Sequence, residues 1–293
     1  MTGLPFDRLN SLDAHIAALF AAGENGALYE RQDLQSQYQD SAGLVPVTAA
    51  GQLVGLTLDK RRGLARGPDV LVNGDFTQGA TGWTVSGEDA THVATFAGGV
   101  LRYQSGTTSP QLAVGNAGAA VVAGDTYEVT AFCSQYVSGS VKLFEQAGFG
   151  NLTVNGVGTF RARLRAVGGG LTITRATANV DLTLDWVTAC PIYGNHATQL
   201  TAGFKPAYQA GPARLVFDGA DDALTTTFSS ALGSNCTVVR SVPGTGAVIL
   251  MGQTIGTSYA DSTTNSGLLI IDRPLTTAET ALVVRWGNQR AGV

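Results

Sequence analysis

Apolar residues recur along this chain with two different periods, and the change from one to the other comes early. In PFDRLNSLDAHIAALFAAG, Leu9, Leu12, Ile16 and Leu19 stand three or four residues apart, which places them on one stripe of an α-helix. Pro5 suits the first turn and Gly23 suits the stop. A helix of about 15 residues is marginal alone in water, so its stripe needs a cover. Residues 1–26 are therefore read as an anchoring or oligomerisation helix, the alternative being that it packs on its own domain.

Beyond it the period becomes two. In GDTYEVTAFCS, Tyr127, Val129, Ala131 and Cys133 share one face, and Glu128, Thr130 and Phe132 the other. In TFRARLRA, Phe160, Ala162 and Leu164 oppose Arg161, Arg163 and Arg165. SVKLFE, LTITRA and VDLTLDWVT continue the series. Strands at this spacing with glycine turns between them predict an antiparallel sandwich. Near the C-terminus, LLIID reads as a buried strand. LTTAETALVVRW reads as a helix with Thr276 or Thr277 at its N-cap and Glu279 in its first turn.

Composition agrees with many short strands: charged residues are only 14% of the 293, and glycines number 38. A net charge of −4 supplies no basic footprint for nucleic acid. No run approaches the roughly 18 apolar residues of a membrane span, and Met1–Asn10 has no apolar leader core. Cys133, Cys190 and Cys236 form no framework; a Cys133–Cys190 bridge or buried free thiols both fit. His15, His92 and His196 are isolated from any catalytic spacing, so no enzyme is expected.

Two resemblances follow from particular stretches. NGDFTQGATGW, GDTYEVTAFCS and LTLDWVTACPI resemble the jelly-roll carbohydrate-binding modules of polysaccharide-degrading enzymes, over residues 69–192. FDGADDALTT and LLIIDRPLTTAETALVV resemble laminin-G or concanavalin-like sandwiches of tailed-phage structural proteins. In those proteins a run like LDKSGxGNHATQ is continuous. Here LDKRRG ends at Gly63 and YGNHATQ begins at Tyr193. The implied fold is mainly β: a jelly-roll sandwich (residues 64–193) inserted in a lectin-like sandwich (27–63 plus 194–293), behind a short N-terminal helix.

The resemblance implies a head spike or tail fibre of a phage-like particle, of the kind found on tailed phages and alphaproteobacterial gene transfer agents. Its partners would be host capsular or surface polysaccharide, other particle proteins and further copies of itself, with no nucleic acid and no membrane. It would be made in the bacterial cytoplasm, released by lysis and displayed on the virion surface. A purely architectural subunit and a capsule depolymerase are the alternatives.

Sugar rings stack on aromatic faces, and arginines suit uronate groups. The expected carbohydrate-binding residues are therefore Phe132, Phe144, Tyr136, Trp83 and Tyr103, with the stripe Arg161, Arg163 and Arg165. Trp83 reads equally as a packing residue and the stripe as a solvated strand face. Arg102 and Lys142 extend the stripe if they share its sheet. The jelly-roll likeness further implies a structural calcium held by Asp75 and Asp185, unless Asp75 merely caps its turn. Asp218–Asp222 is a weaker calcium site.

Overall fold

The computed structural model describes residues 7–108, 111–116, 118–143, 151–166, 170–177 and 179–293, with side chains from Leu12 onward. The chain forms two compact units: Met1–Ser41 with Val45–Ala65 and Tyr193–Val293, and Ala42–Leu44 with Arg66–Ile192. In chain order the first unit begins with α1 (Asp7–Ala17), β1 (Gly26–Glu30), β2 (Gln37–Tyr38) and β3 (Leu56–Thr57). The second unit supplies β4 (Trp83–Ser86), β5 (His92–Ala97), β6 (Val100–Ser105), β7 (Ala113–Asn116) and β8 (Thr126–Ser138). It continues with β9 (Val141–Leu143), β10 (Leu152–Val154), β11 (Gly158–Arg165), β12 (Leu171–Arg175) and β13 (Val180–Ile192). The first unit resumes with β14 (Ala197–Thr198), β15 (Ala207–Gln209), β16 (Arg214–Val216) and β17 (Leu224–Thr227). It ends with β18 (Gly233–Val242), β19 (Gly246–Ile255), β20 (Ser258–Asp261), β21 (Gly267–Ile271) and α2 (Thr277–Ala291).

The protein is mainly β, and its strand pairs are antiparallel. In the second unit the two sheets run β10-β9-β12-β7-β4 and β11-β8-β13-β6-β5. From β6 to β13 the chain crosses between sheets so that β6-β13-β8-β11 and β7-β12-β9-β10 form the two layers of a jelly roll, and β4 and β5 each add an edge strand. Tyr127, Val129, Ala131, Cys133, Leu164 and Leu182 meet Val114, Val141, Leu143, Leu152, Leu171 and Ile173 in one core. The alternate residues of β8 and β11 point away from it, as period two dictates.

The first unit stacks three layers. In its β1-β21-β18-β19 sheet, strands β1 and β21 are buried on both faces. Ala27, Ile270 and Val238 form a cross-strand row on one face, packed with Ala197, Leu224 and Phe217. Leu28, Leu269 and Val239 form the matching row on the other, covered by Leu12, Ile16, Val283 and Trp286 of the two helices. The described part of the N-terminal stripe is thus covered by its own domain. Asp13 of α1 also pairs with Arg290 of α2, which reaches Glu30 at 2.7 Å. In α2 Thr276 is the N-cap, and a capping box with Glu279 satisfies two backbone donors.

The interruption at Gly63–Tyr193 is closed by side chains. Asp59 is fully buried; its carboxylate accepts N–H groups from Leu28 (2.9 Å), Arg61 (2.9 Å) and Asn195 (2.8 Å). The Asp59 N–H donates to His196 Nδ1 at 2.9 Å. Gly194 permits this approach, since a Cβ there would stand 2.8 Å from the Asp59 Cβ. Burial pushes the Asp59 carboxyl up to about 6, against the opposing pull of Arg61 and the backbone donors. In the second unit, Arg66 and Ile192 are bridge partners and the Gly67 N–H donates to the Pro191 carbonyl at 2.8 Å, so its two ends lie side by side.

Candidate functional site

The outer face of the β11-β8-β13-β6-β5 sheet is laid out in cross-strand rows. Thr159, Phe132 and Trp186 form the first, Arg161, Thr130 and Thr188 the second, and Arg163, Glu128 and Cys190 the third. Phe132 and Trp186 are half-buried and near-parallel, with ring centroids 6.1 Å apart and planes 17° from each other. Their core-facing neighbours Ala131, Cys133, Leu184 and Val187 are buried. The pair therefore forms an apolar patch on a face that also carries threonines, arginines, Glu128 and Cys190.

Trp186 is a face residue that alternation alone does not find. Strict alternation from Leu182 and Leu184 would send it into the core. A bulge breaks the register between Leu184 and Trp186, so Val187 and Ala189 take the inward positions and Trp186 turns outward. Asp185 sits in that bulge and accepts a hydrogen bond from the Ser134 hydroxyl.

Glu128 lies beneath the arginines. Its side chain is 3% exposed, and Arg66 Nη1 stands 2.9 Å from it, Arg163 Nε 3.4 Å and Arg161 Nε 3.6 Å. Arg161 and Arg66 keep 59% and 52% of their side chains exposed. Arg165 is turned aside, its Nε donating to the Gly124 carbonyl at 3.1 Å. Arg102 shares this sheet but is held bidentate by Asp181, at 3.1 and 3.0 Å, which keeps that carboxyl below its usual range. Lys142 lies on β9 in the other sheet.

Two expected contacts are corrected. Trp83 is 6% exposed, packs at 5.2 Å on Phe76 and donates its Nε1–H to the Asn73 carbonyl. Tyr103 is fully buried, with its hydroxyl donating to the Leu112 carbonyl at 2.7 Å. Neither offers a face to a sugar ring, because both strands turn these positions toward the core. Tyr136 is exposed but lies beyond the Ser134 irregularity, out of the Phe132 row. Phe144 lies outside the described residues.

The NGDF stretch is a built loop. The Asn73 amide donates to the Gly79 and Thr81 carbonyls and accepts from the Gln78 N–H, and Phe76 is buried beneath it. Gly74 is required, since a Cβ would fall 2.3 Å from the Val187 carbonyl oxygen. Asp75 is exposed and caps the turn through the Thr77 N–H and hydroxyl. Calcium takes six to eight oxygen ligands. Asp75 and Asp185 each accept a hydrogen bond from a neighbouring hydroxyl, that of Thr77 and that of Ser134. Among the described residues, Asp218, Asp221 and Asp222 bring three carboxylates within 4.8 Å, on an exposed loop held by N–H groups donating to Asp218.

Cys133 and Cys190 are free. Cys133 faces the core, while Cys190 opposes Glu128 on the outer face, so the sheet itself separates the thiols. No protein-family model matches this sequence, and no curated protein matches it either.

Proposed function

We propose that this chain is a structural adhesin of a phage-like particle, a head-spike or fibre subunit whose jelly roll binds host surface or capsular polysaccharide. The observation that carries the reading is the Phe132–Trp186 platform on an outer sheet face. Aromatic faces presented in pairs suit the apolar faces of pyranose rings, and the adjoining threonines and arginines suit hydroxyl and acidic substituents. On this reading the protein binds without cleaving, and one shallow face holds each chain weakly. Repeated copies on a particle then supply avidity.

The test is binding of the purified protein to surface polysaccharides and to capsulated against acapsular cells. Capsule-dependent binding supports the adhesin. Its absence leaves an architectural subunit, and release of reducing ends from capsule would identify a depolymerase.

A further inference from the structure

The three guanidiniums around Glu128 outnumber it. Arg66, Arg161 and Arg163 converge on one buried carboxylate in a protein of net charge −4. Asp69, which accepts the Leu71 and Ala189 N–H groups, borders this cluster beside Cys190, so three guanidiniums face two carboxylates. Glu128 thus holds the bases of the arginines in place while the exposed parts of Arg66 and Arg161 point to solvent. Arg161 stands one row from the aromatic pair, two residues along the strand, or about 7 Å.

We infer that Arg66, Arg161 and Arg163, seated on Glu128, form an anion seat for a glycan bearing carboxylate or sulfate groups. The inference rests on the reading of the aromatic face as a glycan platform. A ring laid on Phe132 and Trp186 sets an acidic substituent within reach of Arg161, whose planar fork pairs with carboxylate or sulfate oxygens. The buried glutamate fixes the forks in advance, so fewer rotamers are lost when the anion arrives.

The experiment is calorimetric titration of the whole chain with four probes: polygalacturonate, its carboxyl-reduced form, dextran sulfate and dextran. The wild type is expected to bind at least one acidic probe about tenfold more tightly than its neutral counterpart. The favoured probe identifies carboxylate or sulfate as the source. Arg161→Gln and Arg66→Gln, both at exposed positions, should erase that preference while keeping the affinity for neutral chains. Melting curves confirm that each variant is folded. Equal affinity for acidic and neutral probes, or a preference that survives both arginine variants, overturns the seat while leaving the glycan platform standing. No binding to any of the four probes overturns the platform and the seat together.

Discussion

Phe132 and Trp186 stand directly opposite each other on β8 and β13, near-parallel and half-buried on the outer face of the sheet. Trp83, by contrast, lies beneath its own sheet in the core. The two tryptophans should therefore respond oppositely to truncation. Trp83→Ala opens a cavity and removes a hydrogen-bonded ring, at an expected cost of about 3–5 kcal/mol. Trp186→Ala loses a cross-strand aromatic pair and partial burial, at about 1–2 kcal/mol. Urea denaturation of both variants checks the contrast, and similar losses would place Trp186 in the packing rather than on a working face.

Asp59 makes the stability of the first unit depend on pH between about 4 and 6, with the greater stability at the acid end. Its folded carboxyl is raised to about 6, above the ordinary aspartate value, so the folded state binds the proton more tightly than the unfolded chain does. The stabilising share of this group is full below the unfolded value near 4 and is lost as pH rises to about 6. A shift of about two units corresponds to about 3 kcal/mol. The stability difference between wild type and Asp59→Asn should accordingly fall by up to that amount between pH 4 and 7. A difference flat across this window would show that Asp59 titrates normally.

The adjacency of Arg66 and Ile192, together with the Asp59–Asn195–His196 contacts, suggests that the second unit is separable. Excising residues 66–192 and joining Ala65 to Tyr193 through a short glycine linker should leave a folded first unit with a cooperative thermal transition. Loss of that transition would mean that the first unit depends on the second for its stability.

Helix α1 is expected to matter to folding before it matters to assembly. Ile16 is fully buried in the cluster with Leu269 and Trp286. Ile16→Ala should cost about 2–5 kcal/mol, and removal of residues 1–23 should expose the outer face of the four-stranded sheet and promote aggregation. A truncated chain that stays monomeric and equally stable would return the helix to an anchoring role alone.

Much of this fold was legible because alternation is a local property. The core and outer faces of β8 and β11 follow from period two, and the start of α2 follows from Thr276 and Glu279. Where the backbone leaves strict alternation, the reading stops. A one-residue bulge at Asp185 decided the side on which Trp186 falls, and no run of letters announces it. The Glu128 cluster was hidden for a different reason. Arg66 arrives from a segment 62 residues away, so only the closed jelly roll brings the three arginines together. NGDFTQGATGW carries loop architecture through Asn73, Gly74 and Phe76, and its tryptophan belongs to the core.

On the proposed function, the outer face carrying Phe132 and Trp186 holds polysaccharide. A glycan array probed with the wild type and with folded Trp186→Ala tests it most directly. The wild type should retain bacterial surface polysaccharides and the variant should lose about tenfold or more in affinity, the scale of one aromatic stacking contact. A variant that binds as well as the wild type, or a wild type that binds no glycan, would contradict it.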